Sequence, residues 1–248
     1  MKKGLLSLTV IGNCKMEKII RTPFFEIGIK NYLYGDEVEV LAKAADRAAV
    51  QYDVDVLMIV PYADIRRVTQ SVEKLIVFAP YMDSLYPGRG MADILPESIR
   101  SAGAKGVVLN HCEKRMTLSE LTAVMHRAEE LDLLTFSCAD KIQMGRSLAY
   151  LHPDIINPEP TELIGSGNIS DESFIRETMK AIHEVDPCIL VEQAAGISKP
   201  QQVYDLICAG AQGVGVASGI CTAQNPCGAM EEMVKAVRAA VDEMAKLK

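Results

Sequence analysis

Eight short runs of apolar, largely β-branched residues recur along the chain: Phe25–Ile29, Val56–Val60, Leu75–Ala79, Gly106–Leu109, Leu134–Cys138, Ile155–Asn157, Ile189–Gln193 and Gly213–Val216. They do not alternate apolar with polar, as a strand with one wet face does. They read as strands covered on both faces, which is the pattern of a parallel sheet. Amphipathic stretches lie between most of them. In residues 36–52, Val40, Leu41, Ala44, Ala45 and Ala48 fall on one helical face. Residues 117–131 open on Thr117 with Glu120 three positions later, a capping box. Residues 170–185 open on Ser170 or Asp171, and a helix over 231–246 closes the chain. Strand–helix alternation implies β-α-β units. Eight such units in about 250 residues is the size of a (β/α)8 barrel, with an open doubly wound sheet as the alternative. No low-complexity linker or internal boundary divides the chain, so a single domain is expected.

A chain of 248 residues with 49% hydrophobic residues can bury a large core without disulfide staples. The net charge of −7 argues against nucleic acid as a partner. Small anions stay compatible with it, because local backbone dipoles outweigh net charge. Seven cysteines without a C-x-x-C pair suggest reduced thiols and a cytoplasmic setting, and argue against a metal held by cysteine. The opening "MKKGLLSLTVIG" has the outline of a signal peptide, but its apolar stretch is short and no small-x-small cleavage site follows. No apolar run reaches the roughly 18 residues of a membrane span.

In a barrel, chemistry belongs at the carboxyl ends of the strands. The segments that follow the runs there are "KNY" (30–32), "NHCEKR" (110–115), "PEPTELIGSGN" (158–168), "AAGISKP" (194–200) and "ASGICTAQNP" (217–226). A lysine, a histidine, a glutamate and two loops of small residues therefore converge on one rim.

This set resembles the triosephosphate isomerase family. "NHCEKR" is similar to the family's G/N-H-S-E-R-R, and "EPTELIGSG" to its E-P-x-x-x-I-G-T-G. "AAGIS" and "VASGI" are similar to the phosphate loops of the archaeal branch. The resemblance covers residues 24–248 and implies a (β/α)8 TIM barrel. Two lysines compete for the first-strand position. Lys30 lies 27 residues before Leu57 and Lys15 lies 42 before it, and the family spacing selects Lys30. "IGNCKM" (11–16) is then a look-alike. Residues 1–22 are expected to be an N-terminal extension with Met16 as the natural start, and residues 23–248 the isomerase barrel.

The resemblance implies an aldose–ketose isomerase that moves a carbonyl between C1 and C2 of a small sugar phosphate through an enediolate. Such a reaction needs a base, an electrophile and fixed positive charge. Glu159, held between Pro158 and Pro160, is the implied base. His111 is the implied electrophile, donating from a neutral ring. Lys30 supplies the charge and Glu113 pairs with it. Thr161–Gly167 forms a lid, with backbone N–H groups of Ile164 and Gly165 meeting the phosphate. Gly196, Ser198, Ala217, Ser218 and Gly219 complete the phosphate cradle. His126, His152 and His183 are expected to be structural or exposed. No cofactor or metal is implied.

The family has Asn two residues before its lysine, where this chain has Gly28. Gly28 leaves room beside the carbon chain. "FFEIGIKNYLYGDE" and "DIINPEPTELIGSG" are similar to a branch of the family that acts on four-carbon tetrulose phosphates, and that resemblance implies a four-carbon erythrulose phosphate as the alternative to a triose phosphate. Residues 79–99, with Met82, Leu85, Tyr86 and Met91, are expected to reach a neighbouring subunit in a homo-oligomer, a dimer or tetramer. Rival readings are a sugar-phosphate epimerase or lyase on the same barrel, and a phosphosugar-binding sensor without catalysis.

Overall fold

The eight runs hydrogen-bond side by side as parallel strands and close on themselves. The computed structural model describes residues 20–246. The strands are β1 (Phe24–Gly28), β2 (Val56–Ile59), β3 (Ile76–Ala79), β4 (Gly106–Leu109), β5 (Leu134–Ala139), β6 (Ile155–Pro158), β7 (Leu190–Gln193) and β8 (Gly213–Val216). They run in sequence order around a closed barrel, and Phe25 of β1 faces both Val56 of β2 and Val214 of β8. Helices α1 (Asp36–Tyr52), α2 (Ile65–Thr69), α3 (Pro96–Ala102), α4 (Leu118–Glu130), α5 (Ile142–Ala149), α6 (Glu172–His183), α7 (Pro200–Cys208), α8 (Ser218–Cys221) and α9 (Pro226–Lys246) alternate with them. This is the single-domain (β/α)8 TIM barrel, and the open sheet is excluded.

Strand parity sorts the core into two shells. Phe25, Ile27, Val56, Met58, Val191 and Val214 point out and pack under the helices. Phe24, Leu57, Phe78, Val108, Phe136, Ile155 and Leu190 point in. Phe78 and Phe136 meet edge to face with ring centroids 6.3 Å apart. A Cβ on Gly213 would stand 2.2 Å from the Phe24 ring, so that position admits only glycine. One inward position higher, the lining changes character: Phe24 gives way to Glu26, Ile155 to Asn157 and Leu190 to Glu192, all buried. The barrel is thus apolar below and polar at its carboxyl-terminal mouth.

Several local expectations shift. Thr117 and Glu120 form the capping box, and Asp171 rather than Ser170 caps α6. On α1 the buried face is Val38, Leu41, Ala42, Ala45, Ala48 and Ala49, while Val40 is exposed. Ile20, assigned to the extension, is fully buried and joins the inner cluster with Phe24 and Leu57. Arg21 beside it reaches both Asp53 and Asp55 at 2.6 Å. Barrel packing therefore begins before residue 23. Lys15 and Met16 lie outside the described residues.

Met82 is fully buried, and Tyr86 stacks under Arg127, whose guanidinium carbon lies 3.7 Å from the ring centroid. Of the apolar groups named in that segment, Met91 is left almost wholly exposed. Cys112, Cys138, Cys208, Cys221 and Cys227 carry free thiols. Cys188 is disulfide-bonded, a departure from uniformly reduced cysteines. Among the described residues no helix is long and apolar enough to cross a membrane.

Candidate active site

Lys30 sits just past β1 in a left-handed backbone conformation, φ 49°, which turns the chain over the rim. Its Nζ lies 3.4 Å from Glu113 Oε2. Asn110, also left-handed at φ 58°, ends β4. Its buried side chain donates to the Cys138 carbonyl at 3.0 Å and accepts the Met116 N–H at 3.1 Å. This clamp fixes the loop that carries His111, and Arg115 anchors the loop's far side to Asp140 at 3.0 Å.

Within the loop, the Glu113 N–H donates to His111 Nδ1 at 3.2 Å. An Nδ1 that accepts carries no proton, so the ring's proton belongs on Nε2. That nitrogen lies 3.6 Å from Glu159 Oε2. Glu159 follows β6, and its N–H donates to the Ala139 carbonyl at 2.7 Å. Pro158 and Pro160 restrict the backbone on both sides. The Lys30, His111 and Glu159 side chains are 23%, 19% and 12% exposed. They open onto one cavity of about 770 Å³, which Glu113 also lines.

The neighbouring thiols are unfit as nucleophiles. Burial pushes the Cys138 thiol well up, with the Glu159 carboxylate adding to it, and burial raises Cys112 in the same way. His111, Cys112 and Glu159 offer ligand atoms within 4.8 Å of one another.

The lid begins as a 3-10 turn over Thr161–Leu163, and Ile164 and Gly165 line the cavity. Gly165 and Gly167 take φ 71° and 77°, open to glycine at no steric cost. Gly196, Ala217 and Ser218 line the same cavity. Gly196 has φ 68°, and a Cβ there would fall 1.8 Å from the Asn168 carbonyl oxygen, so lid and loop meet backbone to backbone. Gln202 of α7 ties the two together: its amide donates to the Gly167 carbonyl at 3.1 Å while its oxygen accepts the Ser198 N–H at 2.8 Å.

Ser198 and Gly219 stand behind the cavity rather than in its wall. The Ser198 N–H is committed to Gln202, and a Cβ on Gly219 would lie 2.5 Å from the Ile197 carbonyl oxygen. Gly219 allows α8 to press against that loop. The remaining histidines have structural partners: His126 meets Glu130 at 3.2 Å, His152 meets Asp186 at 2.7 Å, and His183 meets the Ile189 carbonyl at 2.9 Å.

Sequence reasoning missed the deeper lining, Glu26 and Asn157, and the outer wall, where the Tyr81 hydroxyl donates to Asp83 at 2.9 Å. Burial, with that carboxylate bond second, pushes the Tyr81 phenol up to about 12. Parity was the available signal for Glu26: residues 26, 28 and 30 share one face of the strand.

His111 and Glu159 can pass a proton to and from a ligand held between them, and a lysine ammonium can steady negative charge beside them. That defines a (β/α)8-barrel enzyme of acid–base type. Comparison with known proteins narrows the class. The triosephosphate isomerase family profile matches residues 25–237. Triosephosphate isomerase of Methanobacterium bryantii is 34% identical over 227 residues, 90% of this chain and 100% of that protein. The enzyme of the same name from Methanocaldococcus jannaschii is 33% identical over 198 residues, 79% of this chain and 90% of that one. A crystal structure of triosephosphate isomerase from Bartonella henselae superposes with a TM-score of 0.69 at 15% identity, over 89% of this chain and 99% of that chain, and speaks for the fold alone. The chain belongs to the triosephosphate isomerase family.

Proposed function

We propose that the protein interconverts the aldose and ketose forms of a small sugar phosphate, a triose phosphate or a four-carbon erythrulose phosphate, by proton transfer through an enediolate. The carboxylate of Glu159 takes the proton from the carbon next to the carbonyl. The electron pair moves onto the carbonyl oxygen, His111 passes the hydroxyl proton from one oxygen to the other through Nε2, and the protonated carboxyl of Glu159 returns its proton to the former carbonyl carbon. His111 donates from Nε2 to the oxygens on which charge develops, and Lys30 stabilises that charge. The Ile164–Gly165 backbone with Gly196, Ala217 and Ser218 receives the phosphate. The lid excludes water, which preserves the intermediate against phosphate loss.

The observation that carries this reading is the His111 ring, whose Nδ1 is engaged by Glu113 and whose Nε2 faces Glu159. A coupled isomerase assay over three- and four-carbon sugar phosphates tests it. Migration of the carbonyl is expected. Exchange of a single C–H with solvent without carbonyl migration would indicate epimerisation instead. We also propose a homo-oligomer, dimer or tetramer, contacting through the segment around the exposed Met91. Sedimentation of a lone protomer at micromolar concentration would remove it.

A further inference from the structure

The floor of the cavity holds polar groups that Lys30, His111 and Glu159 do not use. Glu26 of β1 and Asn157 of β6 point inward, line the cavity and are each 5% exposed. Glu192 of β7 is wholly buried at the same level. Glu26 Oε1, Asn157 Oδ1 and both carboxyl oxygens of Glu192 have no hydrogen-bond partner among the described residues. Buried polar atoms are almost always partnered, so such a cluster calls for a missing partner.

Two glycines shape this floor for different reasons. A Cβ on Gly215 would come 2.6 Å from Glu26 Oε2 and 3.0 Å from Glu192 Oε2. Gly215 is therefore needed to seat both carboxyls about one point. A Cβ on Gly28 would come no closer than 3.4 Å, to Ala217 Cβ and Glu26 Oε1, which is ordinary contact. Packing does not require glycine at 28. Its bareness keeps the cavity open down to Glu26.

Burial, then the charge of the other carboxylates nearby, pushes Glu26 and Glu192 well above the usual carboxylate range. A carboxyl that retains its proton both donates and accepts, as the hydroxyl of a sugar does. A neutral, hydroxyl-bearing carbon of a ligand matches these groups, whereas a second anionic group would not.

We propose that Glu26 and Asn157, backed by Glu192, form a subsite for the hydroxyl of a carbon additional to the reacting pair and the phosphate-bearing carbon, so that the substrate has at least four carbons. This rests on the isomerase reading above.

The test compares kcat/KM for triose phosphates and four-carbon erythrulose phosphates in the wild type, Glu26→Gln, Glu26→Leu and Gly28→Ala. A site built to bond a hydroxyl discriminates strongly against the ligand that lacks it. The wild type should favour the four-carbon substrate by about tenfold or more. Glu26→Leu and Gly28→Ala should erase that preference, lowering kcat/KM for the four-carbon substrate about tenfold more than for triose phosphates. Glu26→Gln keeps a donor and an acceptor in nearly the same shape and should retain the preference. Equal losses on both substrates would mean a merely structural role and overturn the subsite, as would a wild type that favours triose phosphates. Tight Mn²⁺ binding that needs Glu26 and Glu192 would assign the floor to a cation and overturn it too. Turnover of no sugar phosphate at all would instead overturn the isomerase reading, and the subsite with it.

Discussion

His111 Nδ1 accepts the backbone N–H of Glu113 at 3.2 Å, which turns His111 Nε2 toward Glu159 Oε2, 3.6 Å away. A two-residue loop contact thereby selects which ring nitrogen faces the ligand. The tautomer with hydrogen on Nε2 should dominate in ¹⁵N spectra of the protein. His111→Gln should lower kcat by about 10² to 10³, the usual cost of removing one oxyanion donor, with little change in Tm. A proton resident on Nδ1 would contradict the assignment.

Lys30 is the cation whose ammonium reaches both the cavity and Glu113. Lys30→Met keeps most of the stem and removes the charge, so activity should fall to near background while the fold persists. Lys15→Met should leave kcat unchanged, as expected of the look-alike stretch. Steady-state kinetics on the two variants decides between the registers, and the opposite pattern would reverse the choice.

Gly196 holds the lid by direct backbone approach to Asn168. Gly196→Ala must both bear a left-handed φ of 68° and displace the Asn168 carbonyl. A lower Tm is expected, together with a higher KM and a lower kcat, since the lid and the loop it rests on both move. Unchanged KM and kcat would show that this contact does not position the lid.

A covered parallel sheet was legible because the strands are largely apolar on both faces, and the count of eight favoured a closed barrel over an open sheet. Lys30, His111 and Glu159 could be singled out because each lies within two residues of the end of an apolar run. Other features depend on closure of the barrel. Val40 was expected inside on helical periodicity, but α1 leans on the sheet through Val38 and Ala42 instead. Ile20 plugs the barrel from below, a long-range contact that no local pattern marks. Met82 was expected at an interface and is buried in its own protomer. Glu26 and Glu192 lie inside apolar runs, where a carboxylate in sequence gives no sign that a partner strand carries another at the same height.

The buried carboxyl of Glu192 gives the protein's stability a definite pH dependence. Its value is raised in the folded state above the ordinary 4.5, by burial first and then by Glu26 and Glu159. The folded chain therefore holds a proton that the unfolded chain releases. Stability is full in acid and declines as pH rises from the ordinary carboxylate range up through the raised folded value. Glu192→Gln removes this titration. Its Tm advantage over wild type should be small at pH 4 and should grow toward pH 8. An advantage that shrinks as pH rises would contradict a protonated carboxyl at this position.

Glu159 as the base that carries hydrogen between two carbons is the central claim, and turnover in D₂O followed by ¹H NMR tests it most directly. In the wild type, carbonyl migration should be accompanied by deuterium at the carbon that receives the proton. Glu159→Asp draws the carboxylate back by one carbon–carbon bond, and a displacement of about 1 Å costs on the order of 10² in rate, so migration and labelling should fall together by about that factor. Carbonyl migration at an undiminished rate in Glu159→Asp would contradict the account.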